Sequence, residues 1–248
     1  MRATLKKNLK NTIGFVTWPL FNVGLLALCQ KYVSGYFQHV FWRQWRQKAP
    51  HWFDHRIDLF RWPTHLNPHF LERGFYAREV MWAGCKVLDI CCGDGFYAYY
   101  FYQALAGQID GIDIDDAALR NAQKYHPSDK IRYARVNVLT EPFPDKGYDV
   151  VCFDAALGHF SREELDVLFK KIVAALSPNG VLVGYEEMEE PAHQTWDHKI
   201  ALPTPDDFRA LLAPYFRHVK VLPLKSAGRN NLYFRCTSGD VAALKGFG

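Results

Sequence analysis

A ten-residue stretch from Val87 to Phe96 constrains the fold more than any other part of the chain. Apolar residues lead into Asp89, and small residues with two glycines follow before the aromatic segment 97–102. This order predicts a buried strand, a tight turn and the start of a helix. Glycines let a backbone approach a ligand closely, while the first turn of a helix offers free amide donors and a positive dipole end. The turn is therefore predicted to bind a ligand.

The turn lacks the G-x-G-x-x-G spacing of a dinucleotide-binding loop. It resembles the first motif of the class I S-adenosylmethionine-dependent methyltransferases, in which an acidic residue is followed by three alternating glycines. Asp89, Gly93 and Gly95 match this motif, and Cys91 stands where its first glycine is usual. The resemblance implies that S-adenosylmethionine is the cofactor.

Polar side chains stand near the ends of the next two predicted strands. The second strand, 108–114, carries Asp113 about twenty residues beyond the first motif, where a carboxylate can accept hydrogen bonds from both hydroxyls of a ribose. The third strand, 131–138, carries Asn137 where the resembled family often has aspartate beside the adenine amine. The residues that the resemblance assigns to the cofactor are Asp89, Cys91, Gly93, Asp94, Gly95, Asp113, Ile114, Asn137, Val138 and Asp154.

Strand and helix patterns alternate along residues 84–240, which predicts a parallel sheet covered by helices on both faces. The later strands are predicted at residues 148–154, 181–185, 218–222 and 231–236. A capping box at Ser161 and Glu164 opens the helix after the fourth strand, and the Pro-Asn-Gly run 178–180 is predicted to end it. The resemblance implies a Rossmann-like α/β fold, doubly wound, with a mostly parallel seven-stranded sheet whose last strand is antiparallel. A helical N-terminal extension is predicted to precede it.

The predicted catalytic residue is His159. Methyl transfer from a sulfonium needs mainly alignment and desolvation of the acceptor, and a general base helps when the acceptor is a hydroxyl. His159 follows the fourth strand, where ligands of open parallel sheets are bound, whereas His193 and His198 after the fifth strand are the alternatives. Glu186 and Glu187 are expected to be solvated loop carboxylates. No N-P-P-Y-like segment follows the fourth strand, so the sequence departs from the branches that methylate adenine N6 or glutamine.

Residues 1–30 form a hydrophobic N-terminal segment. Residues 11–30 are uncharged and follow several lysines, and twenty helical residues measure about 30 Å, the thickness of a bilayer core. Pro19 and Asn22 weaken a spanning helix. The sequence therefore predicts either a helix that contacts a membrane from the cytoplasm, lying in the interface or spanning it, or a helix packed on its own domain.

Residues 31–83 are predicted to be a basic, aromatic helical extension or cap. Aromatic and basic residues alternate over 32–52, which suits a membrane headgroup layer, a polyanion or a cap on the catalytic domain. Residues 1–82 carry a net charge of +8, and the remainder carries −4. Spacings of three and four also relate His51, Asp54, His55 and Asp58. A polar helical face is favoured over a metal site there, and no metal is predicted.

The six cysteines indicate a reducing compartment. No pair has the C-x-x-C spacing, and most of them lie in or beside apolar strand patterns rather than in loops. Free, buried thiols of a cytoplasmic protein explain this placement. The predicted location is therefore cytoplasmic, with attachment to a membrane left open.

The predicted function is S-adenosylmethionine-dependent methylation, at oxygen, of a small molecule, a glycan or a lipid head group. One alternative is a non-catalytic, methyltransferase-like binding partner tethered to a membrane. The other is an RNA methyltransferase, suggested by the charge of residues 1–82, although the overall net charge of +4 is too small to indicate nucleic acid by itself. The sequence leaves the oligomeric state open.

Overall fold

The computed structural model describes residues 2–25, 28–29, 32–33, 69–195, 197–226 and 229–244. The chain divides into two compact units, residues 1–50 with 55–66, and residues 51–54 with 67–248. In the first unit the structure describes helix α1, Arg2–Asn22, which contains Pro19. The hydroxyls of Thr12 and Thr17 donate to backbone carbonyls one turn earlier in this helix, at 3.0 and 2.8 Å.

The predictions for the N-terminal third meet the structure only in part. Within the described residues, no helix combines the length and the apolar character that crossing a bilayer requires. Contact of residues 11–30 with a membrane surface stays a prediction. The side chains of His51, Asp54, His55 and Asp58, and most of the aromatic and basic stretch, lie outside the described residues.

The described part of the second unit forms a seven-stranded sheet flanked by helices. Its strands are β1 Lys86–Ile90, β2 Gln108–Asp113, β3 Ile131–Arg135, β4 Tyr148–Asp154, β5 Leu176–Glu187, β6 His218–Ser226 and β7 Arg229–Thr237. Its α-helices are α2 His69–Arg78, α3 Asp116–Tyr125, α4 Arg162–Ala175 and α5 Pro205–Leu212. A π-helix covers Ala98–Tyr102, and short 3-10 turns cover Leu157–His159, Pro191–His193 and Val241–Ala243.

The strand order β3-β2-β1-β4-β5-β7-β6 confirms the predicted doubly wound sheet. Strands β1 to β5 pair in parallel, and β7 is antiparallel to both of its neighbours, β5 and β6. The chain therefore crosses from β1 outward to β3 and then returns to β4 beside β1. In such a sheet the point where the order reverses opens a crevice at the carboxyl ends of the strands.

The third strand is shorter than predicted. It ends at Arg135 rather than Val138, because the chain turns instead of continuing the ladder. The amide of Val136 still donates to the carbonyl of Asp113 at 2.9 Å, but the side chain of Asn137 then accepts a bond from the amide of Leu139 at 3.0 Å. Asparagine competes with regular structure in this way.

The fifth strand is longer than predicted. The run 178–180 was expected to be a loop, but β5 begins at Leu176, directly after α4, and pairs there with Tyr148. The register shifts between Tyr148 and Val150, and this irregularity lets the extra residues join the strand. The capping box of Ser161 and Glu164 is present as predicted.

The sheet separates two hydrophobic layers. One face packs against α4 and α5 through side chains such as Phe169 and Phe208, and the other packs against α2 and the π-helix through Tyr76 and Tyr102. Burying one side chain of this size stabilises the fold by about 2–3 kcal/mol. The double layer therefore fixes the strand ends that carry the site.

The late strand β7 is also tied to the early helix α2. The guanidinium of Arg235 donates to the carbonyl of Tyr76 at 2.8 Å and forms an ion pair with Glu79 at 2.6 Å. It also lies 3.8 Å from the centre of the Tyr76 ring. Helix α2 is thus anchored to the part of the sheet that comes last in the chain.

Candidate functional site

The turn between β1 and the π-helix has left-handed backbone geometry. Cys91, Gly93 and Gly95 have φ angles of 56°, 54° and 72°. Glycine adopts this region freely, whereas a side chain makes it costly. The geometry explains why glycine suits all three positions of the motif, and it places Cys91 in a conformation that its side chain disfavours. The turn therefore keeps its shape without the first glycine.

Asp113 ties the end of β2 to this turn. Its Oδ2 accepts a hydrogen bond from the amide of Gly93, and its Oδ1 accepts one from the amide of Asp115, both at 2.9 Å. Burial raises the pKa of Asp113, and these amide bonds oppose the rise. Because a carboxylate oxygen has two lone pairs, each oxygen can still accept a hydroxyl of a ligand.

Asp89 is a buried carboxyl one residue before the end of β1, and the residue is 4% exposed. Burial raises its pKa well above the ordinary value, the carboxylates of Asp154 and Asp113 raise it further, and Arg73 opposes them. A cationic ligand group beside Asp89 would offset this cost. The position therefore suits the binding of an ammonium.

Arg73 is a site residue that the sequence analysis did not single out. It comes from α2, is 7% exposed, and places its Nε and Nη2 2.7 and 2.6 Å from Oδ2 of Asp154 at the end of β4. Its guanidinium also lies over the rings of Tyr97 and Tyr185, at 5.0 and 4.6 Å from their centres. Nothing local in the sequence identifies this pair, because its two members are 81 residues apart.

Two aromatic residues, His126 and Tyr133, support the turn 91–95 through hydrogen bonds. Nδ1 of the buried His126 donates to the carbonyl of Asp94 at 2.6 Å, and the hydroxyl of Tyr133 donates to the carbonyl of His126 at 3.1 Å. A Cβ at Gly95 would overlap the Tyr133 hydroxyl. The carboxylate of Asp94 accepts a bond from the amide of Phe96 at 3.2 Å, so it helps to start the following helix.

The remaining predicted cofactor residues flank this turn. Ile114 follows Asp113 and is 55% exposed, so it offers an apolar surface beside the carboxylate. Asn137 lies in the turn after β3, where its own side-chain oxygen bonds the amide of Leu139, and Val138 is buried. Asn137 is therefore oriented by its own turn rather than by the strand.

His159 lies after β4, in the 3-10 turn Leu157–His159. Ala155 has a left-handed φ of 51°, which turns the chain sharply beyond Asp154. The side chain of His159 is 38% exposed, and its Nδ1 is 3.5 Å from a carboxylate oxygen of Asp197. The rings of His159 and His198 are perpendicular, with their centres 4.8 Å apart. The structure thus brings together the predicted base and one of its two alternatives; the side chain of His193 lies outside the described residues.

His198 is oriented by Glu189, which the sequence analysis did not identify. Nδ1 of His198 is 2.7 Å from Oε2 of Glu189, and both side chains are mostly buried. The hydroxyl of Thr195 donates to the same carboxylate, and the side-chain amide of Gln194 donates to the carbonyl of His198 at 2.6 Å. The bond to Glu189 leaves the Nε2 of His198 available for another partner.

The expectation that Glu186 is a solvated loop carboxylate was wrong. Strand β5 extends to Glu187, so Glu186 is inside it and is 4% exposed. Its carboxylate accepts bonds from the amides of Glu187 at 3.1 Å and Gly158 at 3.4 Å. Burial raises the pKa of Glu186 to about 7, and the nearby His198 opposes that rise. A buried carboxyl therefore lies beneath the turn that carries His159.

Three of these side chains have the residue types and spacing of metal ligands. One ligand atom from each of His159, Asp197 and His198 lies within 4.8 Å of the others. This is the candidate metal cluster among the residues that the structure describes. It lies at the ends of β4 and β5, beside the crevice rather than at the glycine turn.

Comparison with known sequences finds similar proteins for part of this chain. Residues 87–180 match the family described as "Methyltransferase domain". The chain is 31% identical over 96 residues to an uncharacterised methyltransferase of Mycobacterium bovis, covering 39% of this chain and 47% of that protein. It is 30% identical over 112 residues to a 2-phytyl-1,4-naphtoquinone methyltransferase of Nostoc, covering 40% and 47%. The chain thus spans about half the length of these relatives.

Solved structures show the same fold. The N-methyltransferase NodS of Bradyrhizobium japonicum superposes with a TM-score of 0.59 at 18% identity, covering 70% of this chain and 98% of that one. Its complex with S-adenosylhomocysteine gives a TM-score of 0.58 at 18% identity, over 71% and 90% of the chains. These matches support the predicted architecture of the second unit.

Proposed function

We propose that this chain is a class I S-adenosylmethionine-dependent methyltransferase and that it transfers the methyl group of S-adenosylmethionine to a small-molecule acceptor. One observation carries the proposal: the buried carboxyl of Asp89 near the end of β1 and the half-buried carboxyl of Asp113 at the end of β2 flank a left-handed turn, and Asp113 accepts a hydrogen bond from the amide of Gly93 in that turn. We call Asp89, the turn 91–95 and Asp113 the cofactor edge.

The charges at the cofactor edge suit the two ends of the cofactor. The methionine part carries an ammonium and a carboxylate, and we assign the ammonium to Asp89 and the carboxylate to the neighbourhood of Arg73. The ribose hydroxyls are assigned to the free lone pairs of Asp113. Asn137 and the exposed Ile114 are assigned to the adenine. Asp154 acts through Arg73, which it holds in place.

The acceptor is assigned to the neighbouring ends of β4 and β5. We call the turn 157–159 and residues 186–199 the acceptor edge. His159, the base predicted from the sequence, lies there beside solvent and is the residue that we propose to meet the acceptor. Because the sulfonium is already activated, the enzyme needs mainly to align and desolvate the acceptor atom. We also propose that the methylated atom is an oxygen, and that a glycan or a lipid head group can carry it.

The location of the protein is also proposed from the sequence. A cytoplasmic enzyme whose residues 11–30 touch a membrane surface would meet lipid-linked acceptors at that surface. Binding to vesicles of anionic lipid, compared between the full chain and a chain without residues 1–30, tests this contact.

Calorimetric titration of S-adenosylhomocysteine tests the proposed function. We expect micromolar binding by the full chain, a loss of about 100-fold or more in Asp113→Ala and Asp89→Ala, and no change in Asp129→Ala. Asp129 is an exposed aspartate just before β3, at the amino end of that strand, so its substitution controls for the removal of a carboxylate. Binding that survives in both site variants, or a folded full chain that does not bind, contradicts the proposal. A positive result justifies acceptor screening with a labelled methyl donor.

A further inference from the structure

We propose that His159, Asp197 and His198 bind a divalent transition-metal ion at the acceptor edge. Their ligand atoms all lie within 4.8 Å of one another in the absence of an ion. Metal–ligand bonds of about 2.0–2.2 Å place neighbouring ligand atoms about 3–4 Å apart, so a closure of about 1 Å completes the set. His159 is the most exposed of the three and can make that movement by rotating its side chain.

The bond between His198 and Glu189 is the second observation that points to a metal. Histidine ligands commonly donate their other ring N–H to a carboxylate, which fixes the tautomer and makes the free nitrogen a better donor. Nδ1 of His198 makes this bond to Glu189 at 2.7 Å. Glu189 is held in turn by the hydroxyl and amide of Thr195. The arrangement leaves Nε2 of His198 as the ligand atom.

Backbone contacts bring the two parts of this cluster together. The amide of Lys199 donates to the carbonyl of Gly158 at 2.6 Å, which joins the loop of His198 to the turn of His159. A Cβ at Gly158 would overlap the His198 ring, so the missing side chain allows the close approach. The two histidines therefore meet although they are far apart in the sequence.

The donor set indicates the type of ion. Two imidazole nitrogens and one carboxylate oxygen suit zinc, cobalt, nickel, iron or manganese better than magnesium or calcium. Three protein ligands leave positions open, and an acceptor oxygen can occupy one of them. The ion would then lower the pKa of the acceptor hydroxyl, so that its proton passes to solvent water and the oxyanion attacks the methyl group. His159 would be a ligand rather than the base. This consequence rests on the proposed function, whereas the ion site rests on the three side chains.

Titration with cobalt(II), followed by visible absorption, tests the site in the full chain after chelator treatment and without an affinity tag. We expect one cobalt ion per chain with micromolar or tighter affinity. His159→Gln and Asp197→Asn should each weaken binding by at least about 100-fold, and Glu189→Gln by about 10- to 100-fold because it removes the partner of a ligand. His218→Gln, a histidine at the start of β6, should leave cobalt binding unchanged.

Two outcomes overturn the proposal. One is the lack of saturable cobalt binding at low millimolar concentration, and the other is binding that both His159→Gln and Asp197→Asn retain. Titration of S-adenosylhomocysteine into the same preparations separates this test from that of the proposed function. A chain that binds the cofactor product but not cobalt contradicts the ion site alone, and the reverse result contradicts the proposed function alone. Retained S-adenosylhomocysteine binding also shows that a variant is folded.

Discussion

The cofactor edge and the acceptor edge are built in different ways. The cofactor edge is made within one short stretch of chain, residues 89–115, from left-handed backbone angles and amide bonds to one carboxylate. The acceptor edge is made from two separate stretches, joined by side-chain contacts such as that between His159 and Asp197. Most substitutions leave backbone geometry unchanged, whereas a single substitution can remove a member of a side-chain cluster. The comparison indicates a fixed cofactor site beside an acceptor site that can diverge.

The largest expected effect tests whether the cofactor edge depends on Arg73, which lies outside its motif. Arg73→Met leaves the carboxylate of Asp154 buried without its cation, and breaking one partner of a buried pair costs about 3–5 kcal/mol. We expect the free energy of unfolding to fall by about 3 kcal/mol. The double variant Arg73→Met, Asp154→Asn should recover a substantial part of the lost free energy of unfolding. Urea unfolding of Arg73→Met, Asp154→Asn and the double variant measures these free energies. If the changes in the two single variants simply add in the double variant, the ion pair is not the cause.

A matched pair of glycine substitutions compares the two edges directly. Gly95→Ala forces a side chain into a φ of 72° and against Tyr133, so we expect a loss of about 2 kcal/mol in stability and a large loss of S-adenosylhomocysteine affinity. Gly158→Ala meets the ring of His198, which can shift with its loop. Gly158→Ala should lower cobalt affinity, reduce the free energy of unfolding by less than about 1 kcal/mol, and leave S-adenosylhomocysteine affinity unchanged. Equal effects of the two variants on S-adenosylhomocysteine binding would remove the distinction between the edges.

We expect Asp89 to lower the free energy of unfolding while it contributes to cofactor binding. Its pKa in the folded protein lies above the unfolded value, so the folded state holds its proton more tightly. Its contribution to stability therefore declines as the pH rises above about 4, the ordinary pKa of aspartate. Asp89→Asn should raise the free energy of unfolding at neutral pH by about 1 kcal/mol, change little at low pH, and abolish S-adenosylhomocysteine binding. Unfolding curves across pH measure this; a variant less stable at neutral pH contradicts it.

The smallest effect is expected at Cys91. Cys91→Gly removes the strain of a left-handed side chain but adds backbone freedom to the unfolded state, and each amounts to about 1 kcal/mol. We therefore expect a net change under about 0.5 kcal/mol with S-adenosylhomocysteine affinity retained. Cys91→Val serves as the control, because a β-branched residue should destabilise the same turn. Thermal unfolding of both variants compares them, and a large loss in Cys91→Gly would show that the thiol has a packing role.

Sequence reasoning predicted the turn after β1 and the position of Asp113 at the end of β2 because their signals are local. The acidic residue and glycines of the first motif predicted the turn, and Asp113 was predicted from its distance to that motif; the structure joins them through the amide of Gly93. The capping box at Ser161 and Glu164 was likewise found as predicted. Each of these features depends on residues a few positions apart or on the fixed spacing of neighbouring parallel strands.

The parts that sequence reasoning missed depend on contacts between distant residues. Arg73 meets Asp154 only after the sheet has formed, because the two are 81 residues apart. The partners of Glu189, Thr195 and His198, lie in the same irregular loop, where no periodic pattern indicates which side chains meet. Glu186 was expected in a loop because it follows the predicted strand 181–185, whereas β5 continues to Glu187 by pairing with β7. Burial of a polar residue through tertiary packing is not encoded in local periodicity.

The position of β7 has a consequence for the order in which this protein can assemble during synthesis. Strand β7 comes after every other strand of the sheet, yet it lies between β5 and β6 and not at an edge. Until it emerges from the ribosome, β5 has an open edge and the carbonyl of Tyr76 in α2 lacks its hydrogen bond from Arg235. Because α2 also carries Arg73, the anchoring of Arg73 near the cofactor edge waits for a strand that is distant in sequence. A nascent chain stalled before residue 229 should therefore be open to chaperones and unable to retain the cofactor.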